Sequence, residues 1–257
     1  MQRRVVPVVR FRPGLLALIG CALLAWYLTV KLAAGMPPGP GAMGLGLAGF
    51  LAGWALMMTA MMLPSLAPLL SAYLRSIRAE NNSRIRAART TALVGGYLLT
   101  WTGFGILAYA ASVLGARLAA DVPVTAAWIG AGLLAAAGIY QLTPLKNFCL
   151  RHCRSPVAFL LHVSSYQGAF RDVRVGLYHG LYCVGCCWGL MLVLITVGVM
   201  NLAWMAAIAV AVLLEKTWRH GIVFSRLIGV ALIVFACFVP AYPWLLPGLY
   251  MAPDMMM

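Results

Sequence analysis

Three cysteines, Cys183, Cys186 and Cys187, fall within five residues of an otherwise apolar run, CVGCCWGLM at 183–191. Leucine or valine would serve packing there equally well, so the sulfur calls for a chemical reading. On a helix, residues four apart share a face. His179, Cys183, Cys187 and Met191 step by four along one stripe, with Cys186 beside it. Thiolate, thioether and imidazole form a soft donor set, which selects Cu(I) or zinc over magnesium or calcium. Copper as Cu(I) fits the sulfur best, and zinc fits it less well.

One helix cannot enclose an ion, so a second donor segment is needed. WALMMTAMMLPS at 54–65 supplies one. Met57 and Met61 are four apart, as are Met58 and Met62, with Pro64 and Pro68 following. Pro64 frees backbone carbonyls, which a membrane span tolerates only where something satisfies them. A third sulfur-bearing stretch, IYQLTPLKNFCLRHCRSP at 139–156, carries Cys149 and Cys153 four apart with His152 between them. Lys146, Arg151 and Arg154 are expected to lower these thiol pKa values and favour thiolates. The candidate metal ligands are therefore Cys183, Cys186, Cys187, Met191, His179, Met57, Met58, Met61, Met62, Cys149 and Cys153. No catalytic residue stands out, and no enzymatic activity is expected.

The elements that carry these residues are apolar helices. Of 257 residues, 63% are hydrophobic and 9% charged, with a mean hydropathy of +0.93. That excludes an ordinary soluble domain and indicates an all-α polytopic transmembrane bundle. A span needs about 20 mostly apolar residues. Seven such runs are read, at 14–34, 45–73, 92–115, 124–143, 175–198, 200–215 and 221–240, forming one transmembrane domain over 1–257. Residues 1–13 are expected to form a short basic cytoplasmic N-terminus, and 248–257 a short periplasmic Met-rich tail. The first run is taken as a span rather than a cleaved signal, because Lys31 follows it and no small-residue cleavage site is evident.

The basic residues set the orientation. With the N-terminus inside, Arg3, Arg4, Arg10, Arg12, Arg75, Arg78, Arg84, Arg86, Arg89, Lys146, Arg151, Arg154, Arg171, Arg174, Lys216, Arg219 and Arg226 are all cytoplasmic. Of the 19 lysines and arginines, only Lys31 and Arg117 fall near the other side. The positive-inside rule then gives N-terminus in, C-terminus out. The net charge of +14 reads as orientation and attraction to an anionic lipid bilayer rather than nucleic-acid binding. In this topology a reducing cytosol disfavours disulfides between the clustered thiols. At about 1.5 Å per residue, Met62 lies as far from Arg75 as Cys187 does from Arg174, so the second and fifth spans are expected to bring their sulfur to one depth. Gly176, Gly180, Gly185 and Gly189 form small-xxx-small pairs that let a neighbouring helix approach closely.

Other residues are read more plainly. Cys21 and Cys237 are isolated and expected to pack, and His162 and His220 lie near helix ends. Glu215 and Lys216 close the sixth run, where an ion pair with a loop arginine or a functional role at membrane depth are equal readings. On the outer side Met200, Asn201, Trp204 and Met205 begin the sixth run. The tail MAPDMMM adds Met251, Met255, Met256 and Met257.

The strings AMMLPS, GIYQLTPLKNFCLRHCRSP, GLYCVGCCWGLM and VGVMNLAWMA, followed by Glu215-Lys216, resemble the bacterial family of predicted metal-binding integral membrane proteins over residues 50–217. The resemblance implies a multi-pass protein of the bacterial inner membrane that binds metal. Met57, Met58, Met61, Met62, Pro64, Lys146, Cys149, Cys153, Cys183, Cys186, Cys187, Met191, Met200, Asn201, Glu215 and Lys216 match its motifs. The sequence thus points to soft-metal transport or delivery, with a metal donor or acceptor protein or a membrane subunit as partner. A membrane thiol redox protein and a structural subunit of a membrane complex are the alternatives. No nucleotide-binding motif accompanies the spans.

Overall fold

A computed structural model describes residues 13–36, 41–42, 44–168 and 170–250. The expectations for Arg3, Arg4, Arg10 and Arg12, and for Met251, Met255, Met256 and Met257, fall outside the described residues. Among the described residues the chain is helical and has no strand. Its helices are α1 Pro13–Ala34, α2 Leu47–Ser76, α3 Ser83–Asp121, α4 Pro123–Leu142, α5 Pro144–Arg154, α6 Pro156–His162, α7 Arg171–Thr196, α8 Leu202–Thr217 and α9 Gly221–Phe238.

Local chemistry sets the helix starts. The Asn82 side chain accepts from the Arg84 and Ile85 amides at 2.9 and 3.4 Å, capping α3, as side-chain oxygens do at N-caps. Asn201 caps α8 through the Trp204 amide. Prolines open α4, α5 and α6, where a missing N–H costs nothing. Inside α2, Ser65 Oγ and Tyr97 OH both donate to the Met62 carbonyl beside Pro64, at 2.8 and 3.4 Å. Polar groups thus serve the backbone around the proline.

All seven apolar runs lie in helices, but among the described residues only α1, α2, α3, α4, α7 and α9 are long and apolar enough to cross a membrane. The sixth run lies in α8, which has 16 residues. That is about 24 Å of helix, short of a hydrocarbon core of about 30 Å. Large apolar side chains such as Leu23, Leu107, Val124 and Leu227 point outward, each more than half exposed. Such a belt is unusual on a soluble monomer.

Residues 144–162, after the fourth run, fold into the short helices α5 and α6, which pack against the bundle. Lys146 and Lys216, counted above as flanking charges, are buried to 0% and 5% exposure. They are interior groups with their own partners, and they carry no information about orientation.

The bundle closes around α7, the most enclosed of the six long helices. Glycines decide how near its neighbours come. A Cβ on Gly176 would collide with the Leu93 carbonyl, and one on Gly96 with the Val173 carbonyl, so α3 and α7 touch backbone to backbone. Gly180 meets Thr100 of α3, Gly185 meets the Cys149 sulfur of α5, and Gly189 meets Tyr140 and Ala137 of α4. The small-residue stripe therefore receives three different helices in turn. After α9 the chain folds back beneath the end of α7, where the Gly248 amide donates to the Thr196 carbonyl at 3.0 Å.

Candidate metal centre

The positions 183, 186 and 187 correspond to i, i+3 and i+4 on α7, which places all three side chains on one helix face. Their sulfurs lie within 4.8 Å of one another, and all three residues are buried. Cys186 Sγ is 3.3 Å from Cys187 Sγ and donates to the Cys183 carbonyl at 3.2 Å. Among the described residues this is the only group of three or more histidine, cysteine or carboxylate ligand atoms drawn together in this way.

A cation stands against the cluster. Lys216, at the end of α8, donates to Cys183 Sγ at 2.8 Å and to Ser65 Oγ of α2 at 3.0 Å. Tyr97 OH of α3 lies 3.1 Å from the same sulfur. An unpaired ammonium in an apolar interior is strongly unfavourable. Among the described residues the ion pairs are Arg89–Asp172 and Lys146–Glu215, and neither includes Lys216. Cys183 sulfur is the group placed to carry the balancing negative charge.

A fourth thiol approaches from α5. Cys153 Sγ lies 3.9 Å from Cys186 Sγ. Proline at 144 and the Thr143 side chain, which accepts from the Lys146 amide, start α5. Lys146 then pins it, with Nζ 2.8 Å from both Glu215 carboxylate oxygens and also bound to Gln141. Arg154 donates to the Glu215 and Arg219 carbonyls at 2.5 and 3.3 Å. Glu215 thus pairs with a buried lysine, while Arg154 at the end of α5 takes its backbone oxygen.

Cys149, one turn before Cys153, is half-buried against Gly185. Burial pushes its thiol above the ordinary cysteine value. This reverses the lowering expected from Lys146, Arg151 and Arg154. Lys146 is spent on Glu215 and Gln141, and Arg154 on backbone carbonyls, so neither is free to hold a thiolate at Cys149.

His179 is 1% exposed, one turn below Cys183. Its ring faces Tyr97 and Phe159 at 5.9 and 5.0 Å, and its Nδ1 has no hydrogen-bond partner. Met57, Met58, Met61, Met62 and Met191 are buried to 1% exposure or less in the same core as the cysteines. Helices α3 and α8 each pack against both α2 and α7. Tyr97 links the Met62 carbonyl to Cys183, and Lys216 links Ser65 to the same sulfur. Cys21 and Cys237 are exposed and join no cluster. Sequence reasoning did not place Lys216, Tyr97 or Ser65 at this site. The one available signal was a lysine beside the rare acidic residue Glu215 at the end of an apolar run.

The donor set suits a soft ion. Metal–thiolate bonds of about 2.3 Å can bridge sulfurs up to about 4.6 Å apart. The Cys186–Cys187 and Cys186–Cys153 pairs, at 3.3 and 3.9 Å, both fall inside that reach. A closed zinc site takes four donors about one ion, and here three share a single 4.8 Å neighbourhood.

A family model described as PpoB2 copper chaperone matches residues 51–239, well over half of the chain and all of the thiol cluster. No curated protein and no solved structure matches the chain.

Proposed function

This chain belongs to the PpoB2 copper chaperone family, and we propose that it is an integral membrane protein that holds Cu(I) as cargo at Cys183, Cys186 and Cys187 and delivers it to an acceptor protein. The observation that carries this reading is the buried sulfur triangle, within 4.8 Å throughout, with the Lys216 ammonium 2.8 Å from one corner. Thiolates select Cu(I), and each bound thiolate adds negative charge to an interior that disfavours it. One Cu(I), two thiolates and the Lys216 ammonium sum to zero. The lysine therefore lets an apolar bundle accept a thiolate-bound ion.

Cu(I) bound this way exchanges between sulfurs without passing through a bare ion, which suits delivery rather than permanent retention. The six long apolar helices and the outward apolar belt support a membrane location. The basic flanks support an orientation with the N-terminus in the cytoplasm of a bacterial inner membrane. The buried methionines of α2 and Met191 form a polarisable, apolar wall for a soft ion.

X-ray absorption at the copper edge of the loaded, detergent-purified protein tests the reading. The expected spectrum is that of Cu(I) with a sulfur-only shell, lost when Cys183, Cys186 and Cys187 are replaced by serine. An oxygen or nitrogen shell, or a spectrum indifferent to the three substitutions, overturns it.

A further inference from the structure

Cys153 is not part of the sulfur triangle, yet it approaches one corner of it from another helix. We propose that Cys153 is a transfer thiol: copper leaves the α7 cluster by passing to a second position shared between Cys186 and Cys153. This rests on the copper reading above and assigns the route by which the cargo moves. The Cys153–Cys186 separation of 3.9 Å lies within the reach of one ion holding both sulfurs. Cys186 belongs to both positions, so the ion keeps one bond throughout.

The step balances. A copper–sulfur bond to Cys153 forms while the bond to Cys183 or Cys187 breaks. The proton released by the Cys153 thiol goes to the sulfur that lets go. Copper remains Cu(I), no electron moves, and the number of thiolates is the same before and after. The interior therefore holds the same charge at both positions, and burial does not oppose the transfer.

Burial falls along this route. Cys183 and Cys187 are fully enclosed, Cys186 is 1% exposed and Cys153 5%. Cys149, one turn further along α5, is half-buried. The carrier of Cys153 is an 11-residue helix held to α8 by a buried ion pair, Lys146–Glu215. Its last turn bears Arg151, His152 and Arg154. Glu215 and Lys216 are adjacent, so the helix that holds α5 in place also presents the ammonium to Cys183. The storage and transfer positions are thus registered by one pair of neighbouring residues.

The test uses the full chain in detergent, loaded anaerobically with Cu(I), with bicinchoninate as acceptor and stopped-flow absorbance as readout. Cys153→Ser is expected to load as much copper as wild type and to release it at least tenfold more slowly, with Cys21→Ser releasing at the wild-type rate. Full loading with unchanged release in Cys153→Ser overturns the transfer role. A second measurement holds even if that variant folds poorly. Cys183→Ser/Cys187→Ser, which leaves Cys186 and Cys153, is expected to retain weakly bound copper that is lost on adding Cys153→Ser. Copper retained equally in the triple variant contradicts the shared position. If wild type binds no copper, the functional reading itself fails, which separates the two.

Discussion

The Lys216 ammonium lies 2.8 Å from the Cys183 sulfur, and both residues are sealed inside the bundle. They come from different helices, and the contact sets a cation against the cluster. A hydrogen bond to a charged group contributes about 1.5–3 kcal/mol. Lys216→Met is therefore expected to weaken Cu(I) binding roughly ten- to hundredfold, as read by competition with a chromogenic chelator. Unchanged affinity would make Lys216 a packing residue.

Lys146 and Glu215 form the second buried charge relationship, at 2.8 Å with side chains 0% and 1% exposed. Breaking such a pair leaves a lone charge and costs about 3–5 kcal/mol. Lys146→Met and Glu215→Leu should each lower the thermal unfolding midpoint in detergent sharply. The double variant should recover most of the loss, because apolar replacements of both partners are often nearly neutral. Additive losses in the double variant would show that the pair is not the source.

Backbone contact between α3 and α7 positions Tyr97 against Cys183. Gly176→Ala places a methyl against the Leu93 carbonyl, which cannot yield. Overpacking of this kind costs about 1–3 kcal/mol, and copper affinity should fall with it. Gly95→Ala, in the same helix pair but facing open space, is the matched comparison. It should leave stability unchanged or raise it by about 0.5–1 kcal/mol, since alanine is the better helix former. Equal effects of the two would remove the close approach from the account.

Burial raises the Cys149 thiol above its ordinary value, so the neutral thiol persists to higher pH than in free cysteine. Only the thiolate reacts with an alkylating agent. The rate of Cys149 labelling by iodoacetamide, followed by peptide mass spectrometry, should therefore reach half its maximum at a pH above that of free cysteine, about 8.5. A midpoint below that value would mean that the neighbouring cations outweigh desolvation.

Local periodicity made much of this legible. Spacing of three and four puts Cys183, Cys186 and Cys187 on one helix face whatever the fold, and apolar runs of about 20 residues announce the long helices. The glycines of α7 signalled close approach but not which helix would fill each gap. What composition concealed was set by tertiary contacts. Lys146 and Lys216 look like flanking charges in a linear reading, yet each meets its partner, Glu215 or Cys183, from a distant part of the chain. Spacing set the sulfur of the second and fifth apolar runs at one expected depth, with no sign that α3 and α8 would each pack against both. Tyr97 and Lys216 are the side chains that tie α2 to Cys183. Cys153 was legible as a thiol four residues from Cys149. Its distance to Cys186 depends on how Pro144 and the Lys146–Glu215 pair tilt α5 onto the bundle.

The central claim is that the α7 thiols bind Cu(I). The most direct measurement is a Cu(I) competition titration of the detergent-purified protein under reducing, anaerobic conditions, beside Cys183→Ser/Cys186→Ser/Cys187→Ser. The account predicts tight, stoichiometric copper in the wild-type chain and none above background in the variant. A folded wild-type protein that takes up no copper, or a variant that binds it as well, would contradict it.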